Sequence, residues 1–228
     1  MDGGLCEEVV VHERELLPCS LPPEKAAALP LSLLTAWHML VGRAQIKAGD
    51  RVLVQAGASG VGSLAIQIAK LCGAQVAATA STPEKRARCL EIGADACWTY
   101  DEAVSHAKTW TQKSGVDVVL DHVGTATWES SLRMLRRGGT YVTCGATTGH
   151  LATLNLRLLF FKQLNIMGST MGSMAEMHQA WDLASMGAIE PVVDRVLPVR
   201  ELGLAHQLLE DRNVTGKIVI ALGDPTDW

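Results

Sequence analysis

The sequence predicts an α/β protein built on a parallel β-sheet that is covered by helices on both faces. Between residues 51 and 167, short apolar segments alternate with longer segments that have helical spacing of apolar residues. Such alternation is typical of βαβ units, in which each helix returns the chain to the same sheet. Several of the apolar segments carry almost no polar residue, as expected of strands that are buried on both faces.

The predicted elements follow one another in a regular order. The predicted strands cover residues 51–56, 75–79, 96–99, 116–120, 140–144 and 164–167. The helices between them are predicted over residues 60–72, 81–92, 101–113 and 125–136. Gly73 and Gly93 follow the last turn of the first two helices, where a glycine commonly ends a helix. We therefore predict a doubly wound Rossmann sheet with the strand order 3-2-1-4-5-6.

The two ends of the chain do not continue this alternation. Residues 7–11 have the composition of a strand, and residues 26–41 that of a helix which Pro30 interrupts. Near the other end, a strand, a helix and a further strand are predicted at residues 195–199, 200–212 and 216–220. We therefore assign the dinucleotide-binding domain to residues 39–187 and treat the flanks separately.

Composition and short motifs exclude several classes of function. The formal net charge is −4 and no basic run stands out, so we predict no nucleic-acid and no membrane partner. No apolar run reaches the roughly 20 residues that span a bilayer, and no secretory signal is recognisable. The six cysteines form no C-x-x-C pair and no zinc-type cluster with histidine. We expect reduced thiols in a cytoplasmic protein.

The turn between the first predicted strand and helix has the sequence G-A-S-G-V-G, from Gly57 to Gly62. The N–H groups and dipole of a helix N-terminus favour a bound pyrophosphate, and small residues let the ligand approach the backbone. The G-x-G-x-x-G pattern would place its second glycine where Ser59 stands, and we expect the neighbouring Gly60 to allow the close approach. Because this pattern joins a predicted strand to a predicted helix, it indicates a dinucleotide site rather than a turn without a ligand.

The end of the second predicted strand bears on which dinucleotide is bound. NAD-specific folds place an acidic residue there, about 20 residues after the glycine pattern, to bind the ribose 2′-hydroxyl. Residues 77–81 contain no acid, whereas the hydroxyl of Ser81 and the cations of Lys85 and Arg86 suit a 2′-phosphate. We therefore predict NADP(H), with NAD(H) less favoured. The alternative is that Lys85 and Arg86 belong only to a solvated helix face.

Several separate segments carry motifs of a known family. They are residues 49–62, Glu91-Ile-Gly-Ala-Asp95, Asp117-Val-Val-Leu-Asp121-His-Val-Gly124, Arg137-Gly-Gly-Thr-Tyr141 and Gly216-Lys-Ile-Val219. Together they resemble the medium-chain dehydrogenase/reductases, in particular the quinone oxidoreductase-like and zinc-type alcohol dehydrogenase-like branches. The resemblance covers nearly the whole chain. It implies an oxidoreductase that transfers hydride between a nicotinamide cofactor and a small-molecule substrate.

The resemblance also implies individual contacts with the cofactor. Thr35 would lie against the nicotinamide, and Val61 would pack on its ring. Ser81, Lys85 and Tyr100 match positions around the 2′-phosphate. The residues expected near the nicotinamide ribose are His122, Cys144, Gly145 and Ala146, mostly through their backbone. Lys217 matches a lysine near the cofactor. With the turn residues, the predicted cofactor set is Thr35, Gly57, Ser59, Gly60, Val61, Gly62, Ser81, Lys85, Tyr100, His122, Cys144, Gly145, Ala146 and Lys217.

Two departures from the family pattern limit what the resemblance implies. Zinc-dependent members carry a cysteine four residues before the position of Thr35, where this chain has Leu31, so we predict no zinc. Full members also begin with a GroES-like barrel that forms the other wall of the cleft, and this chain matches only its last part. Residues 1–38 and 188–228 are therefore predicted to be remnants of that β-rich catalytic domain.

The resulting prediction is a zinc-free, NADPH-dependent reductase of a carbonyl, quinone or activated alkene. The alternatives are a truncated nucleotide-binding module without turnover and an alcohol dehydrogenase-like member that uses NAD. We assign no catalytic residue, because the proton for the substrate can come from solvent or from a residue in the missing wall of the cleft. Asp121 and His122 are adjacent in a strand and point to opposite faces, so they are poorly placed to act together as an acid–base pair. Bare sheet edges tend to pair, so we also predict a homodimer or higher homo-oligomer through the sixth strand.

Overall fold

The computed structural model describes residues 4–223 and contains a six-stranded parallel sheet. Its strands are β1 (Arg51–Val54), β2 (Gln75–Thr79), β3 (Ala96–Trp98), β4 (Val116–Asp121), β5 (Leu135–Thr143) and β6 (Asn165–Gly168). Their order across the sheet is β3-β2-β1-β4-β5-β6, which confirms the predicted doubly wound Rossmann topology. The order reverses between β1 and β4, so a crevice opens where the carboxyl ends of these two strands part.

Helices cover both faces of this sheet. The helices are α1 (Pro23–Ala28), α2 (Pro30–Trp37), α3 (Gly60–Leu71), α4 (Pro83–Glu91), α5 (Ala103–Trp110), α6 (Thr125–Met134), α7 (Leu156–Lys162), α8 (Met174–Ser185) and α9 (Leu202–Glu210). A π-helix over His38–Arg43 continues α2, and short 3₁₀ turns lie at Glu13–Glu15 and Val199–Glu201. Two further strands, β7 (Val193–Pro198) and β8 (Lys217–Ala221), pair in parallel with each other.

The core has two layers, one on each face of the sheet. Strand β1 illustrates the division, since Val52 and Val54 belong to one buried cluster and Leu53 to the other. The first cluster also contains the apolar faces of α2, α3 and α8, and the second contains those of α5 and α6. Each large side chain that is fully buried in this way contributes about 1.5–3 kcal/mol to folding. The carboxyl end of β1, where the glycine turn begins, is thereby held rigidly.

The start of β5 differs from the sequence-based expectation. Helix α6 ends at Met134 and the strand begins at Leu135, although the pattern predicted a helix to residue 136 and a strand only from 140. Leu135 has extended backbone and pairs with Val116 of β4. The Nζ atom of Lys162 also donates to the carbonyl oxygens of Arg133 (2.8 Å) and Leu135 (2.7 Å). A distant lysine therefore satisfies carbonyls that the end of α6 leaves free, which local sequence does not reveal.

The predicted strand at residues 7–11 is wrong. These residues belong to no helix or strand, and Val10 is fully exposed. An isolated strand has no partner for its backbone N–H and C=O groups, and among residues 4–223 no neighbouring strand pairs with this segment. The assignment of residues 1–38 to a remnant of the catalytic domain stays a prediction.

The C-terminal flank packs back onto the sheet domain. Helix α1 contacts both β7 and β8, and Lys25 forms an ion pair with Glu190 (3.0 Å). Gln67 of α3 exchanges two hydrogen bonds with the backbone of Glu190. The domain boundaries at residues 38/39 and 187/188 stay a prediction. Within the described residues, no helix combines the length and apolar character needed to cross a bilayer.

Candidate cofactor site

The glycine turn joins β1 to α3 at the crevice. A Cβ atom on Gly57 would lie 2.7 Å from the Cβ of Ala78, and one on Gly62 would clash with the carbonyl oxygen of Ala56. Both positions therefore require glycine because neighbouring backbone or side chains fill the space. The helix begins at Gly60, so the N–H groups of its first turn have no carbonyl partner within the helix. This is the geometry that binds phosphate groups.

Ser59 explains why the second glycine of the pattern is dispensable here. Its backbone is extended (φ −78°, ψ 170°), so no left-handed conformation is needed. Its Oγ atom accepts a hydrogen bond from Gly62 N (3.0 Å) and caps α3. The same Oγ lies 3.0 Å from Nε2 of His122, at the end of β4. Ser59 therefore connects the glycine turn to the next strand of the sheet.

A cavity of about 530 Å³ lies beside this turn. It is lined by Leu31, Thr35, Val61, His122, Cys144, Gly145, Ala146, Thr147, Thr170 and Met171. Six of these lining residues belong to the predicted nicotinamide end of the cofactor set. They come from α2, α3 and the carboxyl ends of β4 and β5, which meet only in the folded chain. The structure thus brings this part of the predicted site together.

Two side chains that line the cavity are unreactive at neutral pH. The hydroxyl of Thr35 donates to the backbone oxygen of Leu31 (2.7 Å), one turn earlier in α2. Burial, reinforced by the charge of Asp121, raises the pKa of the Cys144 thiol to about 11. At neutral pH this thiol is protonated, so it is a poor nucleophile. Both residues shape the cavity wall rather than carry reactive groups.

His122 is a second titratable group in this wall, and its pKa is also shifted by its surroundings. Burial lowers its pKa, and the charge of Asp121 opposes that shift only in part. Its Nδ1 atom is buried and has no hydrogen-bond partner within residues 4–223. The ring is therefore neutral at pH 7 and keeps one unsatisfied nitrogen. A buried polar atom without a partner is unusual and is expected to be satisfied when a ligand is bound.

Asp121 is buried behind this wall, in a network that sequence reasoning missed. Its Oδ2 accepts hydrogen bonds from the hydroxyls of Thr127 (2.7 Å) and Ser131 (3.0 Å) of α6. Its Oδ1 accepts from the backbone N–H groups of Val123 (2.7 Å) and Gly124 (3.2 Å). The carboxylate thus points away from His122, as strand alternation predicts, and fixes the loop after β4.

The network continues across the sheet to the glycine turn. Ser131 accepts a hydrogen bond from Gln55 (3.0 Å), and Gln55 accepts one from the hydroxyl of Thr79 (2.6 Å). The Thr79 hydroxyl in turn accepts from the N–H of Ala56 (3.2 Å), whose backbone is left-handed with φ 51°. Buried polar groups that are fully paired in this way specify one geometry of a core. The separate residues gave no sequence signal, because their spacing follows from the order of the strands.

The predicted 2′-phosphate end is arranged differently. Ser81 is exposed beyond β2, and its carbonyl oxygen accepts a hydrogen bond from Arg86 (3.2 Å). Tyr100 is half-buried, and burial raises its pKa although a hydrogen bond with Thr79 opposes the shift. No acidic residue stands at the end of β2. None of the three residues predicted here lines the 530 Å³ cavity.

Lys85 has a partner that the sequence did not indicate. Its Nζ atom donates to the backbone oxygen of Arg212 at 2.6 Å, in the turn between α9 and β8. The side chain therefore bridges α4 to the C-terminal flank. A 2′-phosphate would have to share or replace this contact, so the geometry leaves the phosphate role of Lys85 a prediction.

Lys217 lies against the glycine turn, and its predicted contact with the cofactor stays a prediction. A Cβ atom on Gly60 would lie 2.6 Å from the Cδ of Lys217. The preceding Gly216 donates its N–H to the backbone oxygen of Ala58 (2.7 Å) and bridges to Ser59. Strand β8 therefore closes over the turn and brings its lysine to the start of α3.

The residues present give no metal-binding constellation in the part of the chain that the structure describes. No group of three or more His, Cys, Asp or Glu side chains within residues 4–223 could hold a metal ion. Leu31 lines the cavity one turn before Thr35, and its side chain offers no ligand atom. The absence of zinc from the working protein stays a prediction.

Comparison with known proteins gives a consistent result. A family model described as zinc-binding dehydrogenase matches residues 60–186. Crotonyl-CoA reductase of Streptomyces collinus is 32% identical over 89% of this chain and 51% of its own length. Quinone oxidoreductase 1 of Escherichia coli is 30% identical over 93% of this chain and 69% of its own length. This chain spans about half the length of the crotonyl-CoA reductases that it matches.

Two solved structures are similar over almost all of the chain. The crystal structure of an NAD-dependent alcohol dehydrogenase has a TM-score of 0.90 at 40% identity, covering 94% of this chain and 64% of that one. A 2-octenoyl-CoA carboxylase reductase, solved in complex with NADP and 2-octenoyl-CoA, has a TM-score of 0.85 at 31% identity, covering 95% of this chain and 56% of that one. With the Rossmann sheet, the glycine turn and the matching family model, these similarities show that the chain belongs to the medium-chain dehydrogenase/reductase family.

Proposed function

We propose that this chain is the nucleotide-binding part of an NADPH-dependent, zinc-free oxidoreductase that reduces a carbonyl, quinone or activated alkene. The observation that carries the proposal is the cavity beside the glycine turn, because it gathers Thr35, Val61 and His122 from separate elements. A nicotinamide cofactor would supply the hydride. The family assignment and the NADP bound in a solved relative support this choice of cofactor.

The residues of the chain fit such a cofactor in three ways. The first turn of α3 offers backbone N–H groups to the pyrophosphate, and Lys217 adds a positive charge at the same place. Val61 and Thr35 line the cavity and exclude water from it. Val61 is apolar, and the hydroxyl of Thr35 is already bonded to a backbone oxygen of its own helix. His122 contributes a polar ring nitrogen without a partner, which a cofactor oxygen in the cavity would satisfy. These roles bind and orient the cofactor.

His122 is a binding residue rather than a proton donor in this proposal. The Ser59 hydroxyl already accepts the N–H of Gly62, and the histidine nitrogen beside it takes the hydroxyl hydrogen. We infer that Nδ1 carries the ring hydrogen of a neutral imidazole. Because burial disfavours the charged form, the ring does not hold a readily released proton at neutral pH. The proton for the substrate then comes from solvent or from another part of the cleft.

A second cofactor preference is favoured by a specific observation. Lys85 is engaged with Arg212, and the solved relative with 40% identity is an NAD-dependent enzyme. If Lys85 keeps this contact when the nucleotide binds, it offers no positive charge to the 2′-phosphate. NADPH then loses this advantage over NADH, and NADH can bind as well.

A cofactor titration with an activity panel tests the proposal. We expect this chain to bind NADPH more tightly than NADH, measured by nicotinamide fluorescence. A form that also carries a GroES-like barrel should consume NADPH with a quinone or enone. Equal or tighter NADH binding would contradict the NADP preference. Tight NADPH binding without turnover, both in this chain and in the form with the barrel, would instead support a nucleotide-binding module.

We further propose that the protein forms a homodimer or higher homo-oligomer through β6. This strand is at the edge of the sheet, and Ile166 is exposed on it. Phe160 and Phe161 of the neighbouring α7 are also more than half exposed, at 63% and 59%. Edges and apolar patches of this kind commonly become interfaces. A monomeric mass in sedimentation at micromolar concentration would contradict the proposal.

A further inference from the structure

Two cysteine side chains meet beneath the glycine turn. Cys89 lies in the last turn of α4 and is fully buried, whereas Cys97 lies in β3 and is partly exposed. Both belong to the same apolar cluster on one face of the sheet. The cofactor contacts proposed above use neither thiol.

The register of the strands places the two sulfurs side by side. Cys97 pairs with Ala78 across β2 and β3, and residues that pair in this way project to the same face. A Cβ atom on Gly57 would lie 2.7 Å from the Cβ of Ala78 and 3.0 Å from the Sγ of Cys89. The Cys89 sulfur therefore lies beside Ala78, the strand neighbour of Cys97, and this brings the two thiols within reach of each other.

The two thiols differ in reactivity. The hydrogen bond with Cys89 lowers the pKa of Cys97, and the positive charge of Arg86 lowers it further, although burial opposes the shift. The same hydrogen bond and burial raise the pKa of Cys89. Cys97 is thus the thiol that ionises first, and thiolates rather than thiols attack oxidants. The buried Cys89 is placed to react second.

We propose that Cys89 and Cys97 form a reversible disulfide in the presence of hydrogen peroxide, and that this disulfide weakens cofactor binding. The Cys97 sulfur attacks one peroxide oxygen, the O–O bond breaks, and a sulfenic acid and water are formed. The Cys89 sulfur then attacks the sulfenic sulfur, and a second water leaves with the thiol proton. Two thiols are oxidised by two electrons and one peroxide is reduced to two waters.

Formation of this bond would change the packing beneath the glycine turn. A disulfide holds its sulfurs about 2.05 Å apart, closer than a hydrogen bond does. Closing this gap moves the Cys89 sulfur toward β3 and changes its packing against Gly57. Helix α4 also carries Lys85, which contacts Arg212. The disulfide itself does not depend on the proposed function, but its effect on nucleotide affinity rests on the proposed binding of NADPH.

Peptide mapping tests the bond directly. Trypsin releases Cys89 and Cys97 together in the peptide from Cys89 to Lys108, so the disulfide makes this peptide lighter by two hydrogen atoms. Cleavage after glutamate then separates residues 89–91 from residues 92–102, and the disulfide keeps these two fragments joined until a reductant is added. We expect this product after peroxide treatment of the whole chain, and not in Cys97→Ser. Cys19→Ser, which changes an exposed cysteine elsewhere, serves as the matched control and should still form it.

NADPH titration of the same samples tests the consequence. We expect the Kd to rise by about fivefold or more on oxidation, the lower end of typical coupling between sites, and to return with dithiothreitol. Cys97→Ser should show no peroxide-dependent change. Absence of the Cys89–Cys97 disulfide, or its formation with an unchanged Kd, overturns the inference. Failure of the reduced chain to bind NADPH would instead refute the proposed function, while peptide mapping still decides on the disulfide.

Discussion

The two ends of the proposed cofactor site were expected from the same kind of sequence evidence, yet their residues are arranged differently in the fold. At the nicotinamide end, Thr35, Val61 and His122 converge on one cavity. At the opposite end, Ser81 is exposed and Lys85 donates to a backbone oxygen of the C-terminal flank. Side chains at the first end are positioned by strand order and buried hydrogen bonds. Those at the second end lie on or near a surface helix, where the contacts of a long side chain depend on which groups are within its reach.

This difference indicates how firmly each end can be inferred from the fold. A position at the carboxyl end of a parallel strand is fixed once the strand order is known. A lysine on a helix surface has several staggered rotamers at each of its bonds, and its contact depends on whatever lies in reach. The first four predictions below therefore proceed from the rigid end, where large effects are expected, to the adaptable end, where they are small.

Loss of the buried carboxylate should have the largest effect. Asp121→Ala leaves the hydroxyls of Thr127 and Ser131 and two backbone N–H groups without their acceptor. We expect the free energy of unfolding to fall by about 3 kcal/mol or more, since each unsatisfied buried group costs ~1–3 kcal/mol. Urea denaturation measures this. Asp101→Ala, at an exposed position, should change stability by less than ~0.5 kcal/mol; similar losses in both variants would contradict the role of the network.

Crowding the glycine turn should have the next largest effect. In Gly62→Ala the new methyl group meets the carbonyl oxygen of Ala56, and the turn must open. We expect a loss of about 1–3 kcal/mol in stability, typical of overpacking, together with weaker nucleotide binding. Gly203→Ala in α9 is the matched control, because nothing lies within 4 Å of its added Cβ. Unchanged NADPH affinity in Gly62→Ala would show that the turn is not part of the site.

The neutral state of His122 should make stability depend on pH. Its folded-state pKa is below the ordinary value of about 6.5, so the unfolded chain binds a proton more readily as the pH falls. Stability is therefore highest above pH ~6.5 and declines below it until the folded-state pKa is reached. Urea midpoints at pH 7.5 and 5.5 should differ less in His122→Gln than in the unchanged chain. His178→Gln, at an exposed position, should keep the full difference.

The smallest effect is expected at Lys85. If its Nζ exchanges the Arg212 carbonyl for a 2′-phosphate, Lys85→Gln should weaken NADPH binding only a few-fold, in line with the ~0.2–1 kcal/mol of an exposed charge pair. NADH binding should not change. Parallel titrations measure both affinities, with Lys108→Gln on α5 as the control. An equal loss for NADPH and NADH would mean that Lys85 acts only by holding the C-terminal flank.

Much of this arrangement follows from local pattern, but some of it does not. The six strands, their order and the small residues at Gly57 and Gly62 were predictable because apolar periodicity and turn chemistry are local signals. The hydrogen-bonded chain from Thr79 to Asp121 was not predictable, because it joins residues that are far apart in sequence. A polar residue in an apolar strand does not by itself indicate which group it will bond. The expected strand at residues 7–11 failed because composition alone does not supply a pairing strand.

The contact of Gly216 with Ala58 has a consequence for how the protein is made. The sheet is complete when β6 ends at Gly168, yet the turn between β1 and α3 receives its last backbone hydrogen bond from a strand that begins at Lys217. During translation, earlier segments leave the ribosome and fold first. A nascent chain therefore has its Rossmann sheet before its glycine turn is fastened. If this turn binds nucleotide as proposed, binding should be strongest in chains that have been synthesised through β8, and removal of this strand should leave a folded sheet with a loosened turn.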